Sequence, residues 1–175
     1  VVNDNGAISR YDIPHALSDS SLPDVFNLEF IAGRAEDYRN ENDILLSEKY
    51  ARMIFGDENP IGRIMTLEME DEPLKVVGVY RTLPENCTII NGMLICIGDA
   101  DLALPNYNPH VGFFRLREGA SAEKVTDDFR KAYTNFIMSG GQEVKDYQAE
   151  EIAGMRLTPI AETHFLDDAM PGIKP

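Results

Sequence analysis

The order of patterns between residues 43 and 80 constrains the fold of this chain more than any other feature. A short apolar segment from Asp43 to Leu46 leads to Ser47, a residue typical of a helix N-cap, and Glu48 follows where the helix dipole favours a carboxylate. Gly56 stands where helices commonly end on a left-handed residue. The pattern predicts a short helix that is stable only when its apolar face docks on another element. The residues of that face are Tyr50, Ala51, Ile54 and Phe55.

A hairpin is predicted directly after this helix. Apolar and polar residues alternate from Met65 to Met69, and the segment from Lys75 to Tyr80 is rich in valine. Asp71-Glu72-Pro73 lies between the two segments and predicts the turn that joins them.

Further strands are predicted on both sides of the hairpin. The alternation from Phe26 to Phe30 is typical of a half-buried strand, which Gly33 ends, and Met93 to Ile97 predicts a buried strand. The first 25 residues predict irregular structure with a turn at Asp4-Asn5-Gly6.

The second half of the chain predicts a strand–helix–strand unit over residues 112–160. Its strands are Gly112 to Arg117 and Met155 to Ile160, and Ser121 caps the helix between them. The helix carries an apolar stripe of Val125, Phe129, Ala132, Tyr133 and Phe136. If this stripe packs on a sheet, Phe129→Ala should cost about 3–5 kcal/mol. The whole pattern predicts an α+β fold.

The charge of the chain excludes several classes of function. Its 175 residues include 16 Lys and Arg against 30 Asp and Glu, a formal net charge of −14. Such a surface repels phosphate backbones, so nucleic acid is not an expected partner. The sequence has neither an apolar run of bilayer-spanning length nor a signal peptide, and we expect it to be a soluble piece of a longer protein.

The two cysteines leave two alternatives open. Asn91-Gly92 lies midway between Cys87 and Cys96 and favours a two-residue hairpin turn. That turn would place the two thiols opposite each other in a non-hydrogen-bonded pair, where side chains approach closest. A disulfide is then expected in an oxidising compartment, and two unpaired thiols are the alternative.

No set of residues predicts catalysis, a metal or a cofactor. His15, His110 and His164 are far apart, and no pair of them has metal-ligand spacing. The acidic run over residues 68–72 lacks the residue order of a calcium loop and is typical of a solvated hairpin tip. The sequence also lacks a nucleophile elbow, a phosphate loop and a dinucleotide fingerprint. We therefore expect a protein that is not an enzyme.

A resemblance to a known family rests on several short motifs in a fixed order. The segment Phe26–Arg34 resembles the F-x-L-x-x-x-x-G-R motif of the periplasmic core domain of MacB- and FtsX-type ABC transporter permeases. The motifs that follow it in that family are similar to Phe55-Gly56, Pro60-Ile61-Gly62-Arg63, Val76-Val77-Gly78-Val79 and Leu83-Pro84-Glu85-Asn86.

The resemblance implies a domain of two lobes on the periplasmic face of the bacterial inner membrane. One would be a porter-like strand–helix–strand lobe of residues 1–38 and 106–175, with its N-terminal part truncated. Residues 39–105 would form an inserted β-rich lobe with a short helix. The family's opening strand and helix would then be absent.

The resemblance also implies a function without chemistry in this chain. Such a domain would couple cytoplasmic ATP hydrolysis to substrate export or extraction by mechanical transmission. Its expected partners are a second permease copy, which dimerises through membrane segments, a cytoplasmic ATPase domain or subunit, and a periplasmic adaptor or lipoprotein. The alternative is an extracytoplasmic sensor or adaptor module that acts through protein–protein contacts.

The motif residues are expected to have structural roles. Glycine supplies backbone freedom at turns, and proline sets a turn in advance. Arg34 is expected to anchor a loop through carbonyls or a carboxylate. The complete set of structural motif positions is Gly33, Arg34, Phe55, Gly56, Pro60, Gly62, Gly78 and Pro84.

Overall fold

The computed structural model of this chain describes residues 2–4, 7–68, 70–84, 87–98, 111–139 and 146–165. The chain forms two compact units, Val1–Phe113 and Phe114–Pro175. Strands and helices together confirm the predicted α+β class. Among the residues described, no helix combines the length and the apolar character needed to cross a bilayer.

The first unit is built on one mixed sheet. Its eight strands are β1 (Val2–Asp4), β2 (Ala7–Ser9), β3 (His15–Ser18), β4 (Phe30–Gly33), β5 (Asp43–Ser47), β6 (Ile64–Leu67), β7 (Glu70–Tyr80) and β8 (Met93–Cys96). They are ordered β2-β1-β6-β7-β5-β8-β3, and β4 also pairs with β7. The pairs β5–β7 and β3–β8 are parallel, and the other pairs are antiparallel.

The centre of the sheet is buried on both faces. Along β5 and β8 successive side chains point to opposite faces, and both strands are buried throughout. One face carries the α2 cluster, named after the helix α2 (Glu48–Phe55), which packs on it; its buried members are Ile13, Ile44, Leu46, Ala51, Met65, Leu74, Val76, Val79, Met93 and Ile95. The other face carries the tyrosine cluster of Leu28, Tyr38, Leu45, Val77, Tyr80, Ile89, Leu94 and Cys96.

The predicted short helix is confirmed. Helix α2 follows Ser47 and ends at Gly56, which has a φ of 59°. Ala51 is buried, and Tyr50, Ile54 and Phe55 are half-buried against the sheet. The tertiary contact that the short helix requires is therefore provided by the α2 cluster.

Residues 26–29 do not form the predicted strand. The one-turn helix α1 (Leu22–Val25), with Pro23 in its first turn, precedes them, and Asn27 adopts a φ of 51°. The strand instead begins at Phe30 and ends at Gly33. Leu28 is buried in the tyrosine cluster and Phe26 is half-buried against it, so these two apolar residues are covered without a sheet partner.

The β6–β7 hairpin is confirmed, but its turn lies nearer the N-terminus than the predicted position at residues 71–73. Leu67 pairs with Glu70, and residues 71–73 belong to β7. The pairing is irregular between Met65 and Leu67, so Pro73 lies where the ladder is interrupted and its missing N–H is tolerated.

Residues before Phe26 are more regular than predicted. Strands β1 and β2 pair across the predicted turn, with Asp4 opposite Ala7, and β3 joins the far side of the sheet. The sheet therefore includes strands from both sides of the predicted lobe boundary at residue 38, and the two-lobe division stays a prediction.

The second unit contains helices but not the predicted strands. Helix α3 (Ala122–Ser139) begins at Ser121, whose Oγ accepts a hydrogen bond from the Lys124 N–H at 3.3 Å. Helix α4 (Asp146–Gly154) was not predicted. Residues 112–117 and 155–159 contain no strand, and a 3-10 helix (Ile160–Phe165) follows.

Side chains of α3 explain why the segment after α4 is not a strand. The Arg130 guanidinium donates to the carbonyls of Ala153 (2.9 Å) and Met155, and Thr126 Oγ1 accepts from the Leu157 N–H at 3.3 Å. These bonds occupy backbone groups that a sheet would otherwise pair.

The predicted stripe of α3 is not its buried face. Ile137 is only 8% exposed, whereas Phe129 is 49% and Phe136 is 70% exposed. The Phe129 ring instead packs edge-on to Phe114, at 6.2 Å between centroids, and stacks on Tyr133 at 6.5 Å.

The exposure of Phe129 lowers the loss of folding stability that we expect from Phe129→Ala. Because about half of the ring is already in water, we expect a loss of about 1–2 kcal/mol. The matched variant Ile137→Ala should cost about 2–5 kcal/mol. Denaturant titration of both variants measures the difference, and an equal or larger loss at Phe129 would show that the stripe is core.

Candidate functional site

Three of the sequence motifs meet at residues 76–78 of β7. The Gly62 N–H donates to the Val76 carbonyl at 2.8 Å, and the Val76 N–H donates to the Arg63 carbonyl at 2.9 Å. Gly33 is paired with Gly78 across the β4–β7 ladder. Motifs that are separate in the sequence thus converge on one short stretch of strand, which we call the β7 junction (Val76–Gly78).

A β-bulge at the β7 junction changes the face of the sheet to which the following side chains of the strand point. Ile44 pairs with Val76, whereas Leu45 pairs with Gly78, so Val77 is the extra residue. Val76 and Val79, three residues apart, consequently both belong to the α2 cluster. The bulge allows one strand to contribute large side chains to both clusters.

Two glycines are required by the close packing at this junction. A Cβ on Gly33 would lie 2.1 Å from the Val77 carbonyl oxygen, and its φ of +72° also disfavours other residues. A Cβ on Gly78 would lie 2.7 Å from both Leu45 Cδ2 and Phe30 Cε1. Backbone and side chains from β4 and β5 therefore approach β7 only because these positions lack a side chain.

The motif after α2 forms a compact connection to β6. Asn59 Oδ1 accepts from the Ile61 N–H at 3.1 Å, and the Arg63 N–H donates to the Pro60 carbonyl at 3.1 Å. Arg63 also forms an ion pair with Glu58, and its guanidinium lies 5.9 Å from the centre of the Phe55 ring. Phe55 and Pro60 thus have structural contacts.

Arg34 anchors a local turn. Its Nε and Nη2 donate to the two carboxylate oxygens of Asp37 at 3.3 and 3.2 Å. This contact, more than the nearby charges, raises the pKa of Arg34. The pair is exposed, so it orients the 3-10 turn at Ala35–Asp37 and contributes little free energy.

The Tyr80 hydroxyl ties the segment before β8 to the end of β7. It accepts from the Gly92 N–H at 3.0 Å and donates to the Ile90 carbonyl at 3.0 Å. The Gly92 carbonyl in turn accepts from the Ser47 N–H at 2.9 Å, where β5 becomes α2. Tyr80 is fully buried, and burial raises its pKa to about 12, so the hydroxyl stays protonated.

Asn91 completes this connection, which sequence reasoning assigned to a hairpin turn. Its Oδ1 accepts from the Leu83 N–H at 2.7 Å, and its Nδ2 donates to the Leu83 carbonyl at 2.6 Å. Pro84 follows, and its carbonyl accepts from the Cys87 N–H at 3.0 Å. The side-chain clamp of Tyr80 and Asn91 had no signal in the sequence.

The hairpin proposed around Asn91-Gly92 is wrong. Residues 87–92 contain no strand, and β8 pairs with β3 and β5 instead. The structure contains no disulfide between Cys87 and Cys96; Cys96 is buried in the tyrosine cluster, and Cys87 packs at the border of that cluster. A disulfide in an oxidising compartment stays a prediction.

An exposed charge pair lies near the motifs. Arg81 Nη2 donates to Glu29 Oε1 at 2.7 Å, and Arg81 Nη1 lies 3.9 Å from Glu48. The hydrogen bond to Arg81 lowers the pKa of Glu29. A carboxylate held ionised beside a permanent cation is not poised for proton transfer at neutral pH.

The chemistry of these residues is that of a scaffold. In the part of the chain that the structure describes, no three His, Cys, Asp or Glu side chains come together as metal ligands. His110 lies outside the described residues, and His15 is exposed on β3. The motif residues are joined by backbone bonds, tight glycine contacts and buried apolar side chains, which position no reacting group.

Comparison with known proteins agrees with the motifs. The family model of the MacB-like periplasmic core domain matches residues 4–132. A solved structure described as a domain of a "putative Permease protein" from Porphyromonas gingivalis is 26% identical, with a TM-score of 0.59; the match covers 77% of this chain and 63% of that one. The periplasmic region of MacB from Actinobacillus actinomycetemcomitans is 14% identical, with a TM-score of 0.46, and the match covers 67% and 54%. No curated protein matches.

Adding one methyl group at the β7 junction should destabilise the domain. We expect Gly78→Ala to cost about 1–3 kcal/mol, because its Cβ overlaps Leu45 and Phe30. The control Gly154→Ala has open space around its Cβ and should stay within about 0.5 kcal/mol of the native chain. Guanidinium titration gives both values, and equal stability of the two variants would contradict the tight packing.

Removing the Tyr80 hydroxyl should also destabilise the fold. Tyr80→Phe leaves the buried Gly92 N–H without its acceptor, so we expect a loss of about 1–3 kcal/mol. Tyr11→Phe, at a half-buried tyrosine beside the α2 cluster, is the matched control and should change stability by less than about 0.5 kcal/mol. Urea titration measures both, and faster exchange of the Gly92 amide in Tyr80→Phe would locate the effect.

Proposed function

Because this chain belongs to the family of MacB-like periplasmic core domains and is a periplasmic part of such a permease, we propose that it transmits force mechanically from cytoplasmic ATP hydrolysis to a substrate outside the inner membrane. The family domain is not itself catalytic. The work would be the export of a substrate or its extraction from the membrane.

The observation that supports this proposal most directly is the closely packed, hydrogen-bonded core around β7. A domain that transmits force must keep its shape while its ends are displaced, and closely packed interiors deform little. Strand β7 contacts β4, β5 and β6 and contributes to both apolar clusters. The Tyr80 hydroxyl then links its end to Gly92. These contacts favour a stiff body over a hinge.

Three shifted pKa values reflect structural contacts. The pKa values of Tyr80 and Tyr38 are raised by burial, and that of Glu29 is lowered by its hydrogen bond to Arg81.

The partners of the domain follow from the same proposal. The match spans 63% of the length of the P. gingivalis structure, so the partners of a whole permease are proposals for this chain. We propose a second permease copy that pairs through membrane segments, a cytoplasmic ATPase, and an adaptor or lipoprotein in the periplasm. Within each copy, the lobes at residues 1–38 with 106–175 and at residues 39–105 remain part of this proposal.

The test replaces this domain in the intact permease by a flexible glycine–serine linker and measures ATP hydrolysis and transport in proteoliposomes. We expect ATP hydrolysis to continue and transport to fall to background, because a flexible chain transmits little force. An ATPase-inactive permease with the native domain is the control and should lose both activities.

Two outcomes would overturn the proposal. Transport that continues with the linker in place would show that the domain is not in the path of force. Unchanged transport together with loss of a partner protein's response would instead support the sensor or adaptor alternative.

A further inference from the structure

Strand β3 is an edge of the sheet with unpaired backbone groups. Among the described residues it pairs with β8 alone. The Met93 N–H donates to the Pro14 carbonyl at 2.9 Å, and the Ile97 N–H donates to the Ser18 carbonyl at 3.1 Å. Because hydrogen-bonding groups alternate along a strand, those of His15 and Leu17 point away from β8, to the open edge.

A partly apolar hollow lies beside this edge. A cavity of about 250 Å³ is lined by Leu17, Leu67, Leu74 and Ile95. Leu74 and Ile95 belong to the α2 cluster, so the hollow is on that face of the sheet. Leu17 is 64% exposed there, so its side chain is open to a binding partner.

The rim of the hollow is acidic. Glu41 and His15 line it, and a neighbouring cavity of about 260 Å³, which shares His15 and Leu67, is lined also by Asp12 and Glu68. The basic side chain Arg10 lies there too, with its Nε 3.3 Å from Glu68 Oε1. Three carboxylates against one guanidinium, in a chain of net charge −14, favour a cationic occupant.

We propose that β3 docks an extended basic segment of a partner protein, which adds to the sheet as a further strand. The partner's backbone would bond to the outward groups of His15 and Leu17. Its alternate side chains would point to the α2-cluster face, where apolar residues enter the hollow and lysine or arginine approaches Glu41 and Asp12. The proposal goes beyond force transmission and does not rest on it.

The test uses a fluorescein-labelled synthetic peptide of about eight residues that alternates lysine and valine, the length of an ordinary strand. Its binding to the 175-residue chain is followed by fluorescence anisotropy. We expect saturable binding below about 1 mM and at least about tenfold weaker binding of a glutamate–valine peptide. No saturation in that range, or equal binding of the two peptides, would overturn the proposal.

Two substitutions of Leu17 distinguish the contribution of its backbone N–H to binding from the contribution of its side chain. Leu17→Pro removes an outward N–H without removing a bond to β8, and it should weaken peptide binding at least about tenfold. Leu17→Ala keeps that N–H and should weaken binding less. Met53→Ala, at an exposed methionine on α2 that lines neither cavity, is the control and should bind like the native chain. Equal binding by Leu17→Pro and the native chain would contradict docking at this edge.

A second measurement covers the case in which Leu17→Pro does not fold. The same lysine–valine peptide, N-methylated at alternate residues, loses the backbone donors of one edge and should bind at least about tenfold more weakly; equal binding would overturn the proposal. If the native chain self-associates in sedimentation and binds no peptide, the edge is a contact between copies of this chain and the partner proposal is wrong.

Discussion

The structure depends on the close approach of β4, β5 and the Gly62–Arg63 turn to β7 at Val76–Gly78. Gly78 leaves room for Leu45 and Phe30, and Gly33 lets β4 come against the Val77 carbonyl. The extra residue Val77 then shifts by one residue the alternation of β7 side chains between the two clusters. Without this shift Val79 would leave the α2 cluster and Tyr80 would leave the other face, so both clusters depend on one local irregularity.

The buried Tyr80 hydroxyl extends this junction to the rest of the sheet. Through Gly92 it connects the end of β7 to the start of α2, where the Ser47 N–H bonds to the Gly92 carbonyl. Buried polar groups that are fully paired favour a single arrangement over alternatives. A domain that transmits force, as proposed above, would need such a core, since force applied at one end then displaces the body without being lost in internal rearrangement.

Several large apolar side chains are exposed on the surface of the described residues. Phe129 and Phe136 on α3 are exposed although their spacing predicted a buried stripe, and Leu17 at the edge of the sheet is exposed as well. Large contiguous apolar patches mark interaction sites, whereas singly exposed apolar residues are ordinary.

The sequence by itself determined the α+β class, the helices at Glu48–Phe55 and Ala122–Ser139, the β6–β7 hairpin and the family, because these follow from local periodicity, capping residues and the order of short motifs. It predicted that the strand ending at Gly33 begins at Phe26, and this is wrong because Leu28 is buried without a sheet partner. The hairpin that would place Cys87 opposite Cys96 is also wrong, because β8 pairs with β3 and β5. Only the tertiary structure decided which strands are neighbours, that Tyr80 and Asn91 clamp the segment before β8, and which face of α3 is buried. These features depend on contacts between residues distant in the chain, which no local pattern encodes.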